Sequence, residues 1–146
     1  MLIKDIASFG AVLLCALLIG CSDPGDTDKM AEQVADGYYQ ALKNKDFEKA
    51  SQFFMETRVE PRAQWLDEIR ENNSKLGDLK SYKLVDKVVN TVYSGTRYTL
   101  KYKTEYAKFP AYETLILFDG VSTFGAANGG GNKLQIEAMT IRSKGL

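Results

Sequence analysis

Histidine is absent from this 146-residue chain, and its two cysteines, Cys15 and Cys21, both lie within the first 21 residues. The chain after position 21 therefore has no thiol to make a disulfide and must draw its stability from a packed core. Losing histidine removes the commonest metal ligand and the side chain that titrates nearest neutrality. Together these absences argue against zinc and other transition-metal sites, and no cofactor is expected. Excess charge is missing as well, since 19 basic residues balance 19 acidic ones. A neutral chain lacks the basic surplus that phosphate neutralisation needs, so nucleic acid is not an expected partner. Long apolar runs are scarce too. One stands out, the fifteen residues from Ile6 to Gly20, broken only by Ser8. A membrane-spanning helix needs roughly 20 apolar residues, so this run is too short for one.

The run does have the anatomy of an export signal: a charged start with Lys4, a short apolar core and small residues at its end. It closes on Leu18-Ile19-Gly20-Cys21, which resembles the lipobox of bacterial lipoproteins. The resemblance implies a diacylglyceryl thioether on Cys21, removal of residues 1–20, and acylation of the new amino terminus. Two or more acyl chains give stable anchoring where one binds only reversibly. Ser22 after the cysteine, by the family's sorting pattern, implies the periplasmic face of the outer membrane in a two-membrane host. The expected partner is thus a membrane, held through lipid on Cys21. Without the leader 126 residues remain, a comfortable size for one domain.

Ser22 to Asp28 reads as an acidic tether with proline and glycine, reaching roughly 25 Å when extended. From Lys29 to Asn44, Met30, Val34, Tyr38 and Leu42 recur every four residues beside Ala31, Ala35 and Ala41, which predicts an amphipathic helix. Asp46 is placed to cap a shorter helix through Phe54. Glu60-Pro61 opens a third helix, with Trp65, Leu66, Ile69, Asn73 and Leu76 on one side and Gly77 as its cap.

After Ser81 the period changes to two. Strands are expected over 81–93, then after a turn at Ser94-Gly95 over 98–106, and over 112–118, with a continuation past Asp119-Gly120 to Phe124. A glycine-rich hairpin turn at 128–132 leads to a last strand over 133–143. In the second strand Tyr98, Leu100, Tyr102, Thr104 and Tyr106 alternate with polar neighbours, the clearest strand pattern in the chain. The fold class expected is α+β, three helices packed on a curved four-stranded antiparallel sheet, with the domain spanning 29–146.

This order of elements resembles the nuclear-transport-factor-2-like superfamily, an α+β cone with a pocket between helices and sheet, and more narrowly its lipoprotein members. The residues that carry the resemblance are Ala41-Leu42-Lys43-Asn44-Lys45-Asp46-Phe47, Trp65 with Leu76-Gly77, and Gly131-Asn132-Lys133-Leu134-Gln135-Ile136. Leu134 stands where relatives often carry tryptophan. The superfamily contains enzymes, binders and interaction domains, so the resemblance implies a fold rather than an activity.

Trp65, Tyr98, Tyr102 and Tyr106 are the candidate ligand-binding residues, lining a pocket for a small apolar ligand or peptide, against the alternative that they are core. The other function class is an interaction subunit or immunity lipoprotein, with the sheet face docking an envelope protein or a second copy. Catalysis is the outside reading. It would rest on Asp86, which shares strand parity with Leu84 and Val88, but Lys83 and Lys87 flank it and suggest a surface ion pair. Lys83, Lys87, Lys101 and Lys103 are expected on the open sheet face, with Glu105, Glu113 and Glu137 interleaved as cross-strand pairs. Gly129-Gly130-Gly131 leads into a strand rather than a helix, so it is not a phosphate loop.

Overall fold

The computed structural model describes residues 24–57, 60–120 and 134–146, with side chains from Asp28 onward. Cys21 and Gly129-Gly130-Gly131, with the continuation of the third strand to Phe124, lie outside the described residues. Three helices come first: α1 (Pro24–Lys43), α2 (Phe47–Ser51) and α3 (Arg62–Leu76). Four strands follow: β1 (Leu79–Val92), β2 (Gly95–Tyr106), β3 (Pro110–Gly120) and β4 (Gln135–Ser143). They pair antiparallel in sequence order as one meander, and the helices lie on one face. The α+β architecture is the one the alternation in β2 and the helical spacing before it require.

Helix α1 starts at Pro24, five residues ahead of the expected start, because proline suits the first turn of a helix. Ala31, Ala35, Tyr38, Tyr39, Ala41 and Leu42 are its buried stripe, while Met30 is half exposed. Asp46 caps α2 by accepting the Lys49 N–H at 3.0 Å. That helix ends at Ser51 rather than Phe54, because the next residues join the sheet instead. Ile136 N–H donates to the Phe53 carbonyl, and Met55 N–H donates to the Ile136 carbonyl, each at 2.8 Å. This parallel bridge covers the outer edge of β4 and leaves β1 as the open edge. At Gly77, φ of +86° lets the chain leave α3 with its N–H on the Asn73 carbonyl.

The inner sheet face carries Tyr98, Leu100, Tyr102 and Thr104 from β2, with Ala111, Glu113, Leu115 and Leu117 from β3. Each fully buried leucine here contributes about 1.5–3 kcal/mol. The helices add Tyr38, Tyr39, Phe54, Trp65 and Ile69 to the same cluster. Side-chain contacts fix how α1 runs over β1. Lys45 meets Asp78, Tyr82 meets Asp36 and Gln40, and Lys87 meets Asp28 and Glu32. The two elements are therefore antiparallel, and the start of α1 lies toward the β1–β2 hairpin.

The hairpin turn is Tyr93-Ser94, one residue earlier than expected, since Val92 pairs with Gly95. Gly95 has φ of +146°, and a Cβ there would lie 2.2 Å from the Asp119 carbonyl oxygen. A register shift between Leu84 and Asp86 inverts the side-chain parity along β1. It turns Asp86 outward and brings Lys87, opposite Leu100, to the inner face.

Candidate functional site

Beneath α1 lies the most unusual group of the core, a buried carboxylate. Glu113 is 1% exposed and stands on β3 between Ala111 and Leu115. The Tyr106 hydroxyl donates to Glu113 Oε1 at 2.6 Å, the Thr104 hydroxyl to the same oxygen at 3.0 Å, and the Tyr39 hydroxyl to Oε2 at 3.0 Å. The single Thr104 hydrogen is shared with the Ala111 carbonyl, 3.2 Å away. Burial pushes the Glu113 carboxyl above the ordinary carboxylate range, and the hydroxyls of Tyr106, Thr104 and Tyr39 pull it only part of the way back. The tyrosines answer in kind. Burial raises Tyr39 and Tyr106 well above the usual phenol range, and the neighbouring Glu113 raises both further.

Aromatic packing holds this group in place. Tyr39 stacks on Tyr82 with centroids 4.6 Å apart and tilts against Tyr102 at 4.7 Å. The Tyr82 hydroxyl donates to Asp36 and accepts from Gln40 Nε2, and burial with the Asp36 contact lifts its pKa to about 12. Beside Tyr106 a void of about 10 Å³ is lined by Tyr38, Leu42, Ile69, Asn72, Asn73 and Ile141. That is room for about one water. Chemically the arrangement can store a proton on Glu113 and pin α1 to the sheet.

The interleaved solvated carboxylates expected from the sequence are corrected here. Glu137 pairs with Arg97 at 3.0 Å and Glu105 sits 3.4 Å from Lys103, but Glu113 faces inward. The expected lysine row is corrected as well, since Lys87 lies on the inner face and bonds Glu32 at 2.9 Å. Lys101 pairs with Asp86 at 2.8 Å on the exposed face, and that contact holds the Asp86 carboxyl below the usual range. Asp86 is thus an exposed surface ion pair, away from the core.

The candidate ligand residues are placed as follows. Trp65 is 6% exposed, stacks on Phe54 at 4.4 Å, and its Nε1–H donates to the Met55 carbonyl at 3.3 Å. Tyr98 and Tyr102 are buried on the inner face, and Tyr106 is half-buried against Glu113. The three tyrosines share one side of β2. Trp65 packs instead at the α2–α3 end, against Phe54. Glu113 is the residue that sequence reading missed. Its signal was the alternation Ala111, Glu113, Leu115, Leu117, masked by equally apolar neighbours Tyr112, Ile116 and Phe118 on the other face.

On the outer face, Lys83, Lys103, Tyr112 and Arg142 form one row across the four strands. Lys83 and Lys103 are direct partners, an unfavourable pairing of like charges. Lys83 and Arg142 have no ion-pair partner among the described residues, and Tyr112 is 61% exposed. Two open grooves meet at Tyr112 and Arg142. One, about 470 Å³, adds Lys101, Thr114 and Thr140; the other, about 590 Å³, adds Phe109, Pro110, Ser143 and Lys144. Among the described residues no cluster of acids could hold a metal ion, and no helix is long and apolar enough to cross a membrane.

No protein-family model matches the sequence, and no curated protein matches it. Solved structures do match the fold. A protein of Catenulispora acidiphila is similar with a TM-score of 0.55 at 10% identity, over 82% of this chain and 92% of that one. ActVI-ORFA from Streptomyces coelicolor is similar with a TM-score of 0.52 at 11% identity, over 82% and 99%. Bd1075 of Bdellovibrio bacteriovorus matches with a TM-score of 0.51 at 16% identity, and the aligned part spans only 42% of its length. The fold is the nuclear-transport-factor-2-like α+β cone. Identities this low speak to architecture alone.

Proposed function

We propose that the chain is a lipid-anchored cell-envelope protein that works as a binding module, taking an acidic segment of an envelope protein on its outer sheet face. One observation carries this reading: two open grooves flank an exposed Tyr112 and an unpaired Arg142, within a row that sets Lys83 against Lys103. Like charges placed directly opposite cost stability; Glu105 meets Lys103 at 3.4 Å, while Lys83 has no anion beside it among the described residues. Tyrosine and arginine are also among the residue types enriched at the energetic centres of protein interfaces. The anchor rests on the resemblance of Leu18 to Cys21 to a lipobox. The fold also hosts catalysts, but Glu113 already accepts three protein hydroxyls, and Asp86 is held by Lys101.

A small apolar ligand in the cone is the weaker reading, because the void beside Tyr106 has room for about one water. Entry would require Tyr38 and Tyr106 to swing aside. The test is a photo-crosslinker placed at Thr114 of the full chain in intact cells. A discrete protein adduct is expected, lost in Arg142→Glu and kept in the helix-face control Gln33→Glu. An adduct indifferent to Arg142→Glu would contradict the reading.

A further inference from the structure

The β1–β2 hairpin ends in an apolar tip that no other described residue covers. Val88, Val89 and Val92 are each 41–50% exposed, and Tyr93 at the turn is 97% exposed. They occupy both faces of the ribbon, since Val89 lies opposite the inward Tyr98 and Val88 opposite the outward Thr99. From Val88 through Thr96 the chain carries no charge. The flanking cations are already neutralised, Lys87 by Glu32 and Asp28, Arg97 by Glu137. An apolar, uncharged end on an open edge strand is a liability for a protein free in solution.

The same end of the molecule receives the chain's start. Helix α1 runs antiparallel to β1, and its Asp28 and Glu32 already meet Lys87, one residue from the bare valines. Pro24, a further turn back, follows Cys21 by three residues. An anchor at Cys21 therefore has almost no length in which to hold the domain away from the lipid.

We infer that the hairpin end Val88–Tyr93 seats in the glycerophospholipid interface beside the anchored amino terminus. Four strand steps from Val88 to Val92 span about 13 Å, enough to cover the ~5–10 Å that interfacial segments immerse. Tyr93, at the leading turn, suits the lipid interface, where an apolar ring with a polar tip is favoured. The contact also fixes how the domain stands. Tyr112 lies opposite Lys103, four residues along β2 from Thr99, the partner of Val88, so Tyr112 stands about 13 Å beyond the seated end.

This inference rests on the anchor reading, and the experiment separates the two. Full-length protein is recovered from bacterial membranes and reconstituted into phosphatidylethanolamine–phosphatidylglycerol vesicles containing headgroup spin-labelled lipid. Tyr93→Cys and, at the far end of β1, Ser81→Cys carry a polarity-sensitive dye, and Trp65 fluorescence confirms that each variant is folded. A blue-shifted emission quenched several-fold more strongly at 93 than at 81 is expected. Equal, weak quenching on vesicles that still float the protein overturns the hairpin contact and leaves the anchor standing. Protein that stays behind, with dye on an unmodified Cys21, overturns the anchor and this contact with it. Shielding of the dye at 93 before vesicles are added, together with a doubled mass by light scattering, assigns the tip to a second copy and overturns the proposal.

Discussion

Replacing Glu113 by glutamine keeps the shape of the side chain and removes its charge, so it isolates what burying a carboxyl costs. Because burial raises the folded-state pKa of Glu113, the fold binds its proton more tightly than the unfolded chain does. Its contribution is therefore fully present below the ordinary carboxylate pKa and is lost as pH rises through the raised folded value. Each unit of that displacement corresponds to about 1.4 kcal/mol. Exposed acids such as Asp86, Glu71 and Asp78 are shifted downward and act in the opposite sense, but they are common to both proteins. The difference between wild type and Glu113→Gln thus reports Glu113 alone, with the variant gaining on the wild type as pH rises from the ordinary carboxylate pKa through the raised folded value. Glu113→Leu gives the complementary magnitude. Thr104 would keep its Ala111 carbonyl, but the Tyr39 and Tyr106 hydroxyls would lose their acceptor. Two orphaned hydroxyls at about 1–3 kcal/mol each make Leu about 2–6 kcal/mol worse than Gln. Urea unfolding followed by Trp65 fluorescence across that pH range reads both effects. A wild-type minus Gln difference that stays flat with pH, or a Leu variant as stable as Gln, would refute the reasoning.

Other outcomes follow from single residues. Trp65→Ala removes the ring stacked on Phe54, and the only tryptophan, so its expected cost of about 3–5 kcal/mol is read in a urea titration followed by far-ultraviolet circular dichroism. Asp46→Ala removes the cap on Lys49 N–H and should cost about 1 kcal/mol, with exchange of that amide accelerating first. Gly95→Ala forces a Cβ into the Asp119 carbonyl oxygen at a positive φ, so a lowered melting temperature is expected, with β2–β3 amide protection lost near the hairpin. Asp86→Asn breaks only an exposed ion pair and should leave the urea midpoint unchanged, where a large drop would contradict its placement.

Much of the architecture was legible because the local patterns were clean. Tyr98 through Tyr106 alternate so strictly that β2 and its inward face could be read directly, and Asp46 announced its cap. Parity failed where the backbone breaks step. The shift after Leu84 turns Asp86 outward and Lys87 inward, and no residue type in Lys83-Leu84-Val85-Asp86-Lys87 signals it. Glu113 was hidden for a different reason. Strand β3 carries apolar residues on both faces, so its sequence cannot say which side is core, and tertiary packing decides. Of the outer-face row, Lys83 and Lys103 were expected on the open face, but their alignment with Tyr112 and Arg142 was out of reach, because it joins four strands whose register only the fold supplies.

Everything about where the domain works comes down to the residue three places before α1. Intact-mass and amino-terminal peptide analysis of protein extracted from native membranes tests it in one step. Material beginning at Cys21 and carrying a diacylglyceryl group there is the expected result. Chains that begin upstream of Cys21, or show a free thiol at that position, would contradict the account.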